Sequence, residues 1–355
     1  MRAAIFSFSV RGAQLAKQIA EAMQNAGYKA EAMTVAKYAE AAGLAPMLPD
    51  YKAACAAAFA SCDAIVFVGA AGIAVRAIAP HIKSKMTDPA VLSADECGNF
   101  VIPLLAGHIG GANELARYLA AAIGAAACVT TATDVNGLFA VDEWGARNNM
   151  VISSLAPAKD FAAALVAKEK VGLYCDEAFA VAGELPKLVE RDSTLPVGMA
   201  VTLDNTLMPF KTTVRLLPKI VHLGIGCRRN TPLENIEALV LPELEKLHLD
   251  LRSVVALASV DLKKDEQGLL AFAEKYQLAA NFYTADELNS VAGDFTPSAF
   301  VKSIVGVSNV CERSAVRDSN NGRLLLRKTS LNGVTLAVAA EKLVLDFSKT
   351  GLKRN

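Results

Sequence analysis

Four loops gather charged or proton-transferring side chains, three of them around glycines. The most pointed is Gly107-His108-Ile109-Gly110-Gly111-Ala112-Asn113-Glu114. Two successive glycines directly before a helix would aim several N–H donors at one point. A histidine beside that point can move protons near neutral pH. Residues His108, Gly110, Gly111 and Glu114 are therefore the candidate catalytic set, although Glu114 would also suit a first helical turn for its dipole alone. The second loop, Gly69-Ala70-Ala71-Gly72, leads to Arg76. Small residues let backbone N–H groups approach an anion, and Arg76 could clamp a carboxylate in two-toothed fashion. The alternative is a packing turn. In the third, 80–89, His81, Lys83, Lys85 and Asp88 crowd a segment without periodicity. It is either a basic wall or a solvated loop. The fourth is Gly224-Ile225-Gly226-Cys227-Arg228-Arg229-Asn230-Thr231-Pro232. Two glycines, two arginines and a Thr-Pro helix start suit an anion cradle, but the third glycine of a dinucleotide fingerprint is missing. Cys227 beside the arginines is either a thiol of lowered pKa or a small buried residue. Lys263 and Lys264 follow a strand and would reach the same cradle, or else line a solvated helix start.

These loops need strands and helices to hold them. Strands are expected at 3–8, 29–34 and 63–68, with helices at 12–24 and 53–61. The run AIVFV at 64–68 is apolar throughout, as in a parallel strand covered on both faces. Segments 91–94 and 100–102 flank a hairpin-like turn, and 113–123 is a helix closed by Gly124. A strand at 127–131 follows. Between 135 and 211 the rhythm loosens: 135–149 reads as one helix carrying Trp144, 161–168 as a helix and 171–175 as a strand. A new α/β unit opens at 220, with Leu217-Pro218 as linker and 224–230 as loop. The expected fold is α/β: two Rossmann-like α/β domains with mostly parallel sheets, 1–134 and 218–355, joined by a smaller middle domain, 135–217.

Composition narrows the class. The 355 residues carry 36 Lys+Arg and 36 Asp+Glu, so the formal net charge is +0. Balance of that kind argues against a nucleic-acid binder but allows one concentrated basic cleft. Hydrophobic residues make up 53% and mean hydropathy is +0.32, which excludes intrinsic disorder. The seven cysteines show no Cys-x-x-Cys pair and no zinc spacing with the four histidines, so a reduced, cytoplasmic chain without a protein metal site is expected. No apolar run reaches membrane-spanning length.

Several runs together resemble one family. PHIKSKMTDPAVLSADECGNFVIPLLAGHIGGANELAR (80–117), VTTATDV (129–135), GIGCRRNT (224–231), LASVDLKKDEQGLLAFA (257–273) and VGVSNVCERSA (305–315) are similar, in this order, to the CbiG proteins of cobalamin biosynthesis. The likeness spans nearly the whole chain and is weakest in the middle. It implies three domains and a cobalt-precorrin-5A hydrolase of the anaerobic vitamin B12 route. Such an enzyme opens the δ-lactone of a ring-contracted cobalt tetrapyrrole and releases acetaldehyde, giving cobalt-precorrin-5B. Cobalt then arrives with the substrate and no cofactor is needed; transient contact with neighbouring pathway enzymes is expected. Two positions depart from the family pattern. Asn230 stands where glycine is usual, and asparagine tolerates the left-handed backbone a turn there would need. Arg313 replaces a proline, which puts the rigidity of that loop in question and adds a positive charge.

A many-carboxylate macrocycle calls for dispersed cations and N–H donors. Gly69, Gly72, Arg76, Lys83, Lys85, Gly224, Gly226, Cys227, Arg228, Arg229, Lys263 and Lys264 form the expected binding set. Lactone opening needs an activated water and a stabilised oxyanion. His108 is the expected base, with N–H groups of Gly110 and Gly111 facing the oxyanion. Two other classes fit less well: a non-catalytic tetrapyrrole-binding or handoff protein, and a nucleotide-dependent transferase, which would lack its Walker lysine.

Overall fold

The computed structural model describes residues 1–84, 87–108, 110–297 and 307–348. Its contacts divide the chain into two compact units, the first ending at Arg147 and the second running from Asn148 to Ser348.

In the first unit a seven-stranded sheet has the order β3-β2-β1-β4-β5-β6-β7. The strands are β1 (Arg2–Ser7), β2 (Lys29–Thr34), β3 (Ala45–Pro46), β4 (Ala64–Val68), β5 (Ala90–Ala94), β6 (Phe100–Leu105) and β7 (Ala126–Ala127). Alternation along β1 and β4 divides the core between the faces. Ile5 and Val66 pack with Ile19 and Met23 of α1 (Val10–Asn25). Phe6, Ile65 and Phe67 turn the other way, toward Cys55 of α3 (Tyr51–Ser61) and Ile78 of α4 (Ala71–Ile78); α2 (Ala36–Ala42) lies between β2 and β3 in sequence. Leu115 and Leu119 of α5 (Ala112–Ile123) join the first face.

One pairing changes the direction of the sheet. β1 to β5 are parallel, but β6 runs antiparallel to β5, with Val91 opposite Leu105 and Ala94 opposite Val101. The reversal is made by Asp95, whose carboxylate accepts from the N–H groups of Cys97, Asn99 and Phe100 at 2.9, 2.8 and 2.7 Å. A side chain that satisfies three turn donors fixes the hairpin locally.

The expected strand at 127–131 shrinks to the two residues of β7. The single helix expected at 135–149 is two, α6 (Ala132–Val135) and α7 (Val141–Arg147), and both belong to the first unit. Buried Trp144 and an Arg147–Glu114 ion pair of 2.7 Å anchor α7 there.

The second unit holds two five-stranded sheets. One has the order β11-β9-β12-β13-β8 and is parallel except for β8; its strands are β8 (Met150–Ile152), β9 (Val171–Cys175), β11 (Val189–Glu190), β12 (Val197–Val201) and β13 (Thr212–Pro218), with α8 (Ala156–Val166) against it. Leu217-Pro218 is therefore no linker: both residues lie in β13 opposite Val151 and Met150, and Leu217 is fully buried.

The other sheet, β16-β15-β14-β18-β17, has parallel β14 (Val221–Cys227), β15 (Val254–Val260) and β16 (Ala279–Tyr283) and antiparallel β17 (Arg323–Leu331) and β18 (Val334–Ala340). Helices α9 (Leu233–Lys246), α10 (Gln267–Tyr276), α11 (Ala285–Asn289) and α12 (Cys311–Asp318) complete it. A two-stranded parallel ladder joins β10 (Ala180–Ala182) to β19 (Val344–Asp346).

Candidate active site

His108 stands just past the end of β6. Because β6 is reversed, that end lies at the edge where β1, β4 and β5 begin. The turn carrying His108 closes on itself: Ala112 N–H donates to Ala106 O at 3.1 Å, Asn113 N–H to Gly107 O at 3.0 Å and Gly111 N–H to His108 O at 2.9 Å. The glycines serve this closure. A Cβ on Gly110 would sit 2.4 Å from Ala106 Cβ, and Gly111 has φ +81°. Since the Gly111 N–H is already engaged, the expected paired oxyanion donors at Gly110 and Gly111 do not form.

The imidazole is held at both nitrogens. Nε2 lies 3.0 Å from Asp134 Oδ2, and Nδ1 lies 3.3 Å from Asp142 Oδ1. Thr133 Oγ1 is 3.2 Å from Nε2. Asp134 also receives Asn113 Nδ2 at 2.9 Å and the Arg117 guanidinium. Arg147 bridges Glu114, at 2.7 Å, and Glu143, its neighbour one helical turn back. Hydrogen bonds to Asp134 and then Asp142 raise the His108 pKa to about 10 against the cost of burial. Burial opposes the charge of Asp134, but His108 and Arg117 outweigh it and hold that carboxyl at about 2. Burial pushes Glu143 above its ordinary value.

A cleft of about 210 Å³ opens onto this network, lined by Asp63, Asp88, His108, Glu114, Glu143 and Arg147 among others. One atom each from His108, Asp134 and Glu143 falls within 4.8 Å of the others, close enough to share a metal ion. Those groups are already engaged: His108 pairs with Asp134, Asp134 also with Arg117, and Glu143 with Arg147.

The other expected residues divide by location. The 80–89 loop reaches the cleft, for Thr87, Asp88 and Pro89 line it. Buried Asp88 accepts from the backbone N–H groups of Lys83 and Ser84, both at 3.0 Å, while the Lys83 side chain is exposed. Lys85 lies outside the described residues. Gly69 lies at the opposite edge of the sheet, where its N–H donates to Ala94 O at 2.8 Å. Arg76 turns back on its helix, donating to Gly72 O at 3.2 Å. These contacts favour the packing-turn alternative for Gly69 and Gly72 over an anion cradle.

The second cradle is corrected too. Gly224 and Gly226 belong to β14, opposite Ala337 and Thr335 of β18. A Cβ on Gly224 would fall 1.8 Å from Cys311 O, so this glycine admits α12 to the sheet. Burial raises the Cys227 pKa, which favours the buried-thiol alternative. Lys263 is committed to buried Glu266 at 3.0 Å, and Glu266 also accepts the Asn230 N–H at 2.9 Å. Asn230 takes φ +55°, the left-handed conformation expected of it. Arg228, Arg229 and Lys264 are exposed. Arg313 is no surface cation: it donates to the carbonyls of Leu288 and Val291, at 2.9 and 2.8 Å, and covers Phe295.

Sequence reasoning passed over Asp134, Asp142, Glu143 and Arg147. Asp134 stood inside VTTATDV, and the Glu143–Arg147 spacing is that of a helical ion pair. A second clamped histidine was also missed. Buried His222 lies 2.6 Å from Asp318 and 2.8 Å from Glu341, tying the last residue of α12 to the sheet.

Three mostly parallel sheets, with a doubly clamped histidine on the wall of a cleft, define an α/β protein equipped for acid–base chemistry. Residues 53–134, 139–218 and 221–339 match the models described as Cobalamin synthesis G N-terminal, Cobalamin biosynthesis central region and Cobalamin synthesis G C-terminus. The chain belongs to this CbiG family. It is 35% identical to the cobalt-precorrin-5A hydrolase of Salmonella typhimurium, covering 94% of this chain and 96% of that one. The cobalt-precorrin-5A hydrolase of Priestia megaterium is 33% identical over 79% of each. Among solved structures, a cobalamin biosynthesis protein G homolog from Sulfolobus solfataricus is 22% identical with a TM-score of 0.42, covering 96% of this chain and 97% of that one.

Proposed function

We propose that this chain is a cobalt-precorrin-5A hydrolase, with its lactone-opening centre in the His108 cleft. The observation that carries the assignment of the site is the pairing of a doubly clamped His108 with a half-buried Glu143 on one wall. An imidazole that donates from both nitrogens has no lone pair to offer, so His108 acts as a fixed positive charge and Glu143 takes the role of base. Glu143 accepts a proton from water as the water oxygen adds to the lactone carbonyl. The positive charges of His108 and Arg147 favour the oxyanion. Collapse breaks the acyl C–O bond; the proton held by Glu143 passes to the departing alkoxide and the new carboxylic acid releases its own proton to solvent, leaving a carboxylate and a secondary alcohol. Glu143, again a carboxylate, removes the alcohol proton, and the C–C bond breaks. Acetaldehyde departs and the electron pair passes into the conjugated cobalt macrocycle.

No resident cofactor enters this scheme, since cobalt comes with the substrate. Exposed Arg228, Arg229 and Lys264 of the second unit are proposed as carboxylate-binding side chains. The reaction is placed in the cytoplasm, with transient contact to neighbouring pathway enzymes. Among the described residues no helix is long and apolar enough to cross a membrane.

The test is incubation with the lactone substrate and measurement of acetaldehyde by a coupled dehydrogenase. One acetaldehyde per substrate supports hydrolysis. Tetrapyrrole binding without acetaldehyde would instead make this a carrier.

A further inference from the structure

The His108 cleft raises a difficulty for its proposed substrate. At about 210 Å³ it falls below the roughly 300–1,000 Å³ of a site for a drug-sized ligand. Among the described side chains its wall is also acidic: Asp63, Asp88, Glu114 and Glu143 stand with His108 and Arg147, four carboxylates against two cations. A ligand fringed with acetate and propionate groups would be repelled there.

A second depression adjoins it. This groove has about 660 Å³, and Cys62 lines both it and the cleft. Its floor is made largely of alanines: Ala54, Ala57 and Ala58 of α3, with Ala4 of β1. Side chains that stop at Cβ leave a low, apolar surface. Leu48, 66% exposed, rises at the rim. Exposed Arg2 and Lys29 also line the groove, against the single carboxylate of Glu31.

We propose that this groove seats the macrocycle, its apolar face on the alanines and peripheral carboxylates at Arg2 and Lys29, so that only the lactone enters the His108 cleft. The inference rests on the hydrolase reading and names the substrate subsite that reading requires. Apolar floor, cationic rim and a wall shared with the cleft match a flat, carboxylate-bearing ligand whose reacting part must reach Glu143.

Two variants test it in the full-length protein. Ala57→Trp fills the groove from an exposed helix position, and Lys29→Glu reverses the rim charge; neither touches the catalytic residues. Ala57→Glu substitutes if the tryptophan lowers the melting temperature. Affinity for cobalt-precorrin-5A is read from the absorbance titration of the tetrapyrrole. The expected result is a Kd weakened about tenfold or more in both variants, with KM raised and kcat little changed, the signature of lost uniform binding. An unchanged Kd in either variant overturns the subsite, whatever the wild type's activity. Acetaldehyde release by the wild type is scored separately, so failure of the hydrolase reading is distinguishable from failure of the groove.

Discussion

His108 Nε2 lies 3.0 Å from Asp134 Oδ2, and both partners are largely withdrawn from solvent. The pair is the hinge of the whole network, because Asp134 in turn gathers Asn113 and Arg117. Its two shifts bound the pH range of the fold. The His108 pKa is raised, from 6.5 to about 10, so its stabilising contribution is fully present below 6.5 and lost as pH rises through about 10. For Asp134 the pKa is lowered, from 3.8 to about 2, so its contribution is present above 3.8 and lost as pH falls through about 2. Thermal melts from pH 6 to 10.5 should show a falling melting temperature on the alkaline side. His108→Ala should flatten that slope, and an equal slope in the variant would refute the assignment.

Removal of Asp134 leaves the imidazolium with Asp142 as its only carboxylate partner among the described residues. Asp134→Asn is expected to cost about 3 kcal/mol, as for the loss of one partner of a buried ion pair. Urea denaturation of both proteins measures it. A loss under about 0.5 kcal/mol would place the pair with ordinary surface contacts.

Glu143→Gln keeps the shape of the side chain and abolishes the base. The kcat for acetaldehyde release should fall by about 10²–10⁴, with KM within a few-fold of wild type. In the wild-type rate profile, the acid limb should lie above the usual carboxylate value, since burial raises the Glu143 pKa. Wild-type turnover in the variant would move the base elsewhere in the cleft.

The GIGCRRNT run divides into a structural half and an exposed half. Gly224→Ala should destabilise the fold by at least about 1–3 kcal/mol, because the new methyl meets the Cys311 carbonyl. By contrast, Arg228→Ala with Arg229→Ala should leave melting unchanged and weaken tetrapyrrole affinity. Unaltered affinity in the double variant would make the exposed half dispensable for binding.

Glu312 offers a test in the second unit. It is fully buried and accepts from Thr296 N–H at 2.7 Å, Thr296 Oγ1 at 2.9 Å, Asn309 Nδ2 at 2.9 Å and Lys328 N–H at 2.7 Å. Glu312→Gln turns one acceptor into a donor facing donors. A loss of about 2 kcal/mol or more is expected in chemical denaturation, and a neutral result would mean the loop adjusts freely.

Much of this architecture was legible in the residues. AIVFV became buried β4, and the hairpin around Asp95 appeared where its turn residues stand. Gly69 and His108 show where legibility ended. Each follows a strand and precedes a helix, so local pattern treats them alike. Their separation to opposite edges follows from the direction of β6, which is a property of pairing. Likewise Gly224 reads as a flexible loop until α12, some ninety positions away, is laid over it. Asp134 and Asp142 carry no local mark of their role, because a carboxylate in a short helix looks the same whether or not an imidazole faces it.

The small ladder of β10 and β19 couples positions 164 apart, Ala180 against Val344 (344 − 180). Pairings so distant in the chain form late. During synthesis, the stretch around Ala180–Ala182 must wait without its partner until residue 344 has left the ribosome. The ladder is thus a clasp across the second unit: truncation before Val344 would leave Ala180–Ala182 without its partner strand.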